Sequence, residues 1–474
     1  MKSTRSSRRG ATRVVAATLM MLVAAITSSA QTFTTLLNFN EGDGADPQYM
    51  SMVQGTDGNL YGSTILGGNL SCDAPYGCGT LFKVTPTGTL STLYTFCAQA
   101  NCADGAYPSG LVLGTDENFY GTTYFGGASP SCSGGCGTVF RITRDGVLTT
   151  LYSFGSADGA YPYAALVEAN DGNFYGTTSQ GGSGCSQVGC GTVFKITPAG
   201  RLTTLHSFDA TDGYLPFAAL IQASDGSLYG TTFSGGGGNC RCGTVFKITP
   251  SGKLTTLHSF DFTDGQSPNS SLLQAVDGSF YGTTLEGGHV AFEGCSTGCG
   301  TVFRIKSDGT FSTTIQFRFS NGGFPAAPLI QATDGNFYGT AGYVFKLIPE
   351  QEMTLLGGPA GNGGIVQATN GTFYGTSTGG LWGLYDGTVF SLSVGLGPFV
   401  TTLPTSRKIG QRVIILGNSL TGTTSVTFNG TAATFTVVSS TEIATTVPAG
   451  ATTGTVKVIT PSRTLTSNVV FRVR

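Results

Sequence analysis

Twelve cysteines are the densest reactive chemistry in this 474-residue chain, and all lie between Cys72 and Cys299. They fall into close pairs: Cys72/Cys78, Cys97/Cys102, Cys132/Cys136, Cys185/Cys190, Cys240/Cys242 and Cys295/Cys299. An even count with local pairing argues for local disulfides in an oxidising compartment. A zinc site would need two pairs converging on one ion, and each pair belongs to a different repeat, so disulfides are expected instead. Cys240 and Cys242 are the strained pair, with one residue between them.

Acid–base chemistry would need at least two carboxylates that break the repeat pattern and converge. Glu168, Glu286 and Glu293 are the candidates. The recurrent Asp57, Asp171, Asp225, Asp277 and Asp334 all stand in Asp-Gly turns, which account for them, and they lack the alternating oxygen ligands of an EF-hand loop. No metal and no cofactor are expected. His206 and His258 occupy the positions of Tyr94 and Tyr152 in sister repeats, which points to a structural role; His289 stands alone. No Gly-x-Ser-x-Gly elbow, phosphate loop or His-Glu-x-x-His helix occurs.

The element that positions these residues is Asp171-Gly172-Asn173-Phe174-Tyr175-Gly176-Thr177-Thr178. Close copies stand at 57–64, 116–123, 225–232, 277–284 and 334–340, with a weaker one at 370–376. Each is followed by a Gly-rich loop and a second signature such as Gly191-Thr192-Val193-Phe194-Lys195-Ile196-Thr197. A unit of about 50 residues is the mark of a propeller or solenoid. Within it, Asp-Gly and Pro-x-Gly turns separate four short strands, ordered outer, inner, second, third.

Counting separates the two architectures. The Thr-Leu-x-Ser-Phe type strand, the Tyr-Gly-Thr strand and the Gly-Thr-Val-Phe strand each appear seven times, but the chain starts on an outer strand and ends on a third one. Pairing Phe33–Phe39 with Val389–Ser393 would close the ring and remove its open edges. The expected fold is therefore all-β: a seven-bladed β-propeller over 31–396.

The repeated unit resembles the bacterial extracellular GloVer tandem repeat, over about 360 residues. Members of that family carry varied C-terminal attachment signals, whereas Val469–Arg474 shows neither a sorting motif nor a final hydrophobic helix. From Gly397 onward the cysteines and the Tyr-Gly motif vanish. Gly410–Gly417, Val426–Gly430, Val447–Gly450 and Gly454–Val458 resemble an IPT/TIG domain, which implies an immunoglobulin-like sandwich over 397–474, acting as a spacer or contact module.

Residues 1–30 read as a signal peptide, with Lys2, Arg5, Arg8, Arg9 and Arg13 before the apolar run Val14–Ile26 and small residues Ser28-Ser29-Ala30 ahead of Gln31. Arg8-Arg9 lacks the bulky apolar residues of twin-arginine export. The run is short for a membrane span and no later stretch is long enough. Removing the segment takes 5 of the 24 basic residues and leaves 19 against 26 acids, a net charge near −7. Such a surface repels phosphate backbones, so nucleic acid is excluded as a partner. A secreted, periplasmic or cell-surface monomer is expected.

In this strand order, every cysteine pair falls on one face and the Asp-Gly turns fall on the other. Disulfides would staple the long loops and preorganise a binding face. Where repeats differ, specificity resides. The position after each Tyr-Gly-Thr-Thr strand reads Leu66, Phe125, Gln180, Ser234 and Glu286, with Tyr76, Tyr124, Phe233, Phe292 and Trp382 nearby. Tyr124, Phe125, Phe233 and Trp382 are the expected anchors, with Glu286 and Glu168 as polar partners. An inner-strand position reads Gln54, Leu113, Glu168, Gln222, Gln274, Gln331 and Gln367, for which hydrogen bonding between neighbouring blades is preferred to a channel lining. The leading reading is a non-enzymatic binding protein for an extracellular glycan or protein. The alternative is a polysaccharide hydrolase or lyase.

Overall fold

Burial of one Tyr and two Phe side chains per repeat drives the architecture. In the third repeat Phe174, Tyr175 and Phe194 are all 2% exposed or less. Each such side chain contributes about 1.5–3 kcal/mol on leaving water. The computed structural model describes residues 31–474 except 48–50, 186–187, 238–239, 289–294, 350–352, 359–360, 362 and 379–386. The leader at 1–30, with His289, Phe292, Glu293 and Trp382, lies outside the described residues.

The chain is all-β, with one three-residue 3-10 turn at Ala100–Cys102 among the described residues. Among the described residues the repeats form seven antiparallel sheets, each built inner, second, third, outer. The third is Val167–Glu168, Phe174–Thr178, Thr192–Ile196 and Leu202–Ser207. The second sheet gains an extra strand, Ala106–Pro108. The outer strand of the seventh sheet is Thr32–Asn38, which pairs with Thr388–Ser393 and sets Phe33 opposite Leu392. The expected pairing of the two ends is thus present. Phe33 also stacks on Phe390 at 4.9 Å.

Successive sheets are joined by the repeated Tyr. Tyr61 stacks on Phe119 of the next sheet at 4.2 Å, Tyr120 on Phe174 at 4.0 Å and Tyr229 on Phe280 at 4.1 Å. A buried phenol needs a partner. The Asp of the turn supplies it: Tyr175 donates to Asp171 at 2.9 Å and Tyr229 to Asp225 at 2.9 Å. The glycine after each Tyr is demanded by its own sheet, since a Cβ on Gly176 would lie 2.6 Å from the Phe194 ring.

A second link runs near the inner strands. Gln222 Oε1 accepts the Asn170 amide of the preceding sheet at 2.8 Å; Gln274 accepts Ser224 at 2.9 Å, Gln331 Val276 at 3.0 Å and Gln367 Thr333 at 3.0 Å. Glu168 accepts Thr115 at 2.7 Å. Gln54 of the first sheet accepts Thr369 of the seventh at 2.9 Å, across 315 residues. The hydrogen-bonding reading of these positions therefore describes six of the seven seams. The seventh carries Leu113.

The tail accounts for Leu113. It forms two four-stranded sheets, one of Thr401–Leu403, Arg412–Leu416, Glu442–Thr446 and Phe435–Val437, the other of Thr431–Ala432, Ser425–Phe428, Val456–Ile459 and Thr464–Thr466, with a short parallel pair of Ser406–Arg407 and Arg472–Val473 beside them. Alternation along Arg412–Leu416 sends Val413 and Ile415 into the sandwich core. Ile414 and Leu416 point the other way and join a cluster with Leu113, Tyr61 and Phe119. Polar contacts rim this interface: Arg412 pairs with Glu117 at 2.8 Å, Thr441 donates to the Thr56 carbonyl at 2.7 Å and Arg474 to the Asn170 carbonyl at 3.0 Å. The tail is thus packed on the Asp-Gly-turn face.

Candidate ligand-binding face

All six cysteine pairs are disulfide-bonded, including Cys240–Cys242, and no described cysteine is free. Two pairs from different repeats nevertheless meet. Cys72 Sγ lies 3.8 Å from Cys102 Sγ, because the connection holding Cys97 and Cys102 folds back over the first sheet's Gly-rich loop.

The strand Phe119–Phe125 of the second sheet runs past its Thr pair and carries Tyr124 and Phe125 out at the cysteine-bearing end. Both are half-buried. Their rings touch each other at 4.6 Å, Tyr107 meets Phe125 at 5.7 Å, and Tyr161 lies 5.2 Å from Tyr124 and 5.3 Å from Phe125. Tyr163 extends the series at 5.7 Å from Tyr124, followed by Phe217 at 5.2 Å and Phe233 at 5.3 Å. These pairs adopt the edge-to-face or tilted geometry that ring quadrupoles favour. The sequence-predicted Tyr124, Phe125 and Phe233 are thus brought together in one ribbon across three sheets.

A cleft of 210 Å³ opens among Ile65, Tyr107, Pro108, Tyr124, Phe125 and Tyr163. Tyr163 also lines a second cavity of 170 Å³ with Phe217, Asn269 and the small residues Ala164, Ala218 and Ser270, one set per repeat. Neither lining contains a carboxylate. Burial, then the neighbouring Tyr161, raises the Tyr124 pKa; burial, then a hydrogen bond to Asp73, raises that of Tyr107. Both phenols are therefore neutral donors at ordinary pH.

Glu168 is not part of this face. It sits opposite Phe174, at the Asp-Gly end of its sheet, with both oxygens on Thr115: 2.7 Å to the amide and 2.6 Å to the hydroxyl. Burial raises its pKa against the opposing pull of those bonds and of Arg407. Glu286 lies at the cysteine-bearing end of the fifth sheet, bridged to Gln266 through the backbone, and outside the aromatic ribbon. Glu168 and Glu286 therefore stand at opposite ends of the sheets and cannot act as an acid–base pair.

The other candidate chemistry is occupied. Asp171 accepts from Asn173 at 3.1 Å, Tyr175 and Lys195, the last at 2.8 Å. Burial raises its pKa, but these bonds together outweigh it and hold the carboxyl below its ordinary value. His206 binds Asp212 at 2.7 Å and His258 binds Asp264 at 2.8 Å, as Tyr94 binds Asp104 at 2.8 Å. These side chains brace the loop leading to the next inner strand.

One set of rim residues was missed by the sequence reading. Asp46, Tyr107, Tyr161, Leu215, Ser267 and Phe324 each precede a proline and adopt positive φ, between 54° and 58°. Both features disfavour ordinary side chains there. The conformation is held by the disulfide loops, for the amides of Tyr107, Tyr161, Leu215, Ser267 and Phe324 donate to the carbonyls of Cys78, Cys136, Cys190, Cys242 and Cys299. Their signal was a Gly-x-X-Pro pattern whose third residue changes from repeat to repeat.

A family model for the Gloeobacter/Verrucomicrobia repeat matches residues 22–242 and 189–356, and one for the IPT/TIG domain matches 398–473. The chain belongs to the Gloeobacter/Verrucomicrobia repeat family. No curated protein matches. Among solved structures, the repeat chain is similar to an extracellular domain assigned to a hybrid two component system of B. thetaiotaomicron, with 13% identity, a TM-score of 0.49, and coverage of 94% of this chain and 57% of that one. This chain thus spans little more than half the length of that structure. It is also similar to a gluconolactonase from Xanthomonas campestris, with 14% identity, a TM-score of 0.39, and coverage of 77% and 90% respectively. Likeness at these identities and TM-scores carries no information about activity. No described helix is long and apolar enough to cross a membrane.

Proposed function

We propose that this chain is an exported, non-enzymatic binding protein that takes an extracellular glycan or protein segment on its cysteine-bearing face. In this reading the seven sheets are the blades of a seven-bladed propeller spanning 31–396. Six hydrogen-bonded seams and the pairing of Thr32–Asn38 with Thr388–Ser393 support it. Segment 1–30 is the export signal, and the tail over 397–474 is the IPT/TIG sandwich that covers the opposite face.

The observation that carries the reading is the half-buried aromatic cleft around Tyr124, Phe125 and Tyr163, which continues through Tyr163 toward the sheet axis. Rigid aromatic rings offer contact area at low entropic cost, and phenol hydroxyls give orientation. Of the six rim positions only Tyr107 and Tyr161 carry a phenol, the others being Asp46, Leu215, Ser267 and Phe324, so the paired phenols are local to the second and third sheets.

The test is a glycan and peptide array screen with reducing-end release measured in parallel, followed by calorimetry on the hits. Phe125→Ala and Tyr124→Ala should each weaken binding by about fivefold or more, as truncating an interface anchor costs over 1 kcal/mol. Catalytic release of reducing ends, or hits untouched by either substitution, overturns the reading.

A further inference from the structure

Phe96 and Asp104 are separated by seven residues, whereas three separate Phe154 from Asp158 and three separate Phe208 from Asp212. The added length contains Cys97 and Cys102, and it is held in place. Asp104 accepts the Tyr94 hydroxyl at 2.8 Å and the amides of Ala98 and Gln99 at 3.0 and 3.1 Å. The Cys102 carbonyl accepts the Gly105 amide at 2.8 Å and the Gly127 amide at 2.9 Å. From the other loop, Asn69 donates to the Cys97 carbonyl at 3.4 Å.

This bracing sets two disulfides, Cys72–Cys78 and Cys97–Cys102, side by side. Cys72 Sγ and Cys102 Sγ are 3.8 Å apart, in van der Waals contact, and the sulfurs of Cys72, Cys97 and Cys102 all lie within 4.8 Å of one another. Among the described residues no other two disulfides meet. Cys72, Cys97 and Cys102 are half-buried, while Cys78 is 2% exposed.

We propose that these four cysteines form a thiol–disulfide exchange unit whose substrate is an external thiolate. Exchange proceeds by attack of a thiolate on a disulfide sulfur, and sulfurs already in contact need little motion to react. The external thiolate attacks the half-buried Cys97 Sγ and forms a mixed disulfide; the Cys97–Cys102 bond breaks and Cys102 leaves with the electron pair. The Cys102 thiolate then attacks Cys72 Sγ. A Cys72–Cys102 bond forms, the Cys72–Cys78 bond breaks, and Cys78 keeps the electron pair and takes a proton from solvent. One thiol is consumed and one is released, with no net oxidation. Cys78 is also the residue whose carbonyl holds the Tyr107 amide at 2.9 Å, so exchange acts next to the aromatic cleft.

The test is Cys97→Ser in the full chain, which leaves Cys102 as a free thiol beside an intact Cys72–Cys78 bond. After acid quench, denaturation and alkylation, peptide mass mapping should find the Cys72–Cys102 peptide, with Cys78 alkylated. Cys132→Ser, which frees Cys136 away from any second disulfide, should show no migration. Cys102 alkylated throughout with Cys72–Cys78 intact overturns the proposal, as does equal migration in both variants. If Cys97→Ser fails to fold, the parent chain is treated with substoichiometric glutathione instead. A glutathione adduct at Cys97 together with the Cys72–Cys102 peptide supports the proposal, and adducts without that peptide refute it.

Discussion

Replacing Leu113 by Gln, the residue found at five of the seven equivalent positions, should destabilise the chain. Leu113 is 4% exposed and shares an apolar cluster with Ile414 and Leu416 of the tail. Losing its burial costs about 1.5–3 kcal/mol, and setting an amide against those side chains adds about 1–3 kcal/mol. The new side chain could accept the Thr56 amide, as Gln222 accepts that of Asn170, and such a bond returns about 1 kcal/mol. The net loss is about 1.5–5 kcal/mol. Calorimetry should show a lower melting temperature, and limited proteolysis should find the connection near Gly397 cut faster. Ile414→Gln should act alike, and the double variant should lose less than the sum, since the two residues share one cluster. An unchanged melting temperature in Leu113→Gln, or strictly additive losses, would refute the docking argument.

Deleting residues 31–40 removes Phe33 and the buried Phe39 and bares the edge of Thr388–Ser393. Light scattering should report oligomers, or the melting temperature should fall sharply; an unchanged monomer would count against ring closure. Tyr175→Phe forfeits one hydrogen bond to the half-exposed Asp171, and denaturant unfolding should register about 1 kcal/mol. A neutral result would mean that water replaces the phenol fully. Glu168 tests the electrostatics through its pH dependence. Its folded pKa is raised, so its favourable contribution is present below the ordinary value of 4.5 and is lost as pH climbs through the raised one. Glu168→Gln should therefore gain on the parent as pH rises from about 4.5 toward neutrality. A gap that widens toward acid pH instead would show that the Thr115 bonds and Arg407 dominate.

What could be read in advance was whatever repeats. Asp171, Tyr175, Gly176 and Phe194 recur because each answers a demand inside one repeat: a turn, a buried phenol needing a partner, a ring needing space, a core to fill. Seven copies make that demand visible in a single sequence. Gln54 and its counterparts recur for the same reason one level up, since each satisfies an amide on the preceding sheet. The aromatics Tyr124, Phe125 and Phe233 were found because they depart from a pattern that was already plain.

Departures alone do not say toward what. Leu113 and Glu168 both break the Gln series, and the sequence offered no reason, because their partners Ile414, Leu416 and Arg407 lie some 240–300 residues onward in a different fold. Breaking the series does not put Glu168 on the aromatic rim, because its inner-strand position sets it beside the Asp-Gly turn, at the far end of the sheet. The Cys97/Cys102 insertion raised the same difficulty: its length could be counted, but not the direction in which it folds. The rim residues Tyr107 and Tyr161 were hidden by the reverse effect. Their neighbours Gly105, Pro108, Gly159 and Pro162 recur, while the residue before each proline, held at positive φ by a cysteine carbonyl, is the one free to vary. A fixed frame around a changing side chain is how a repeat protein can alter what it binds without altering how it folds.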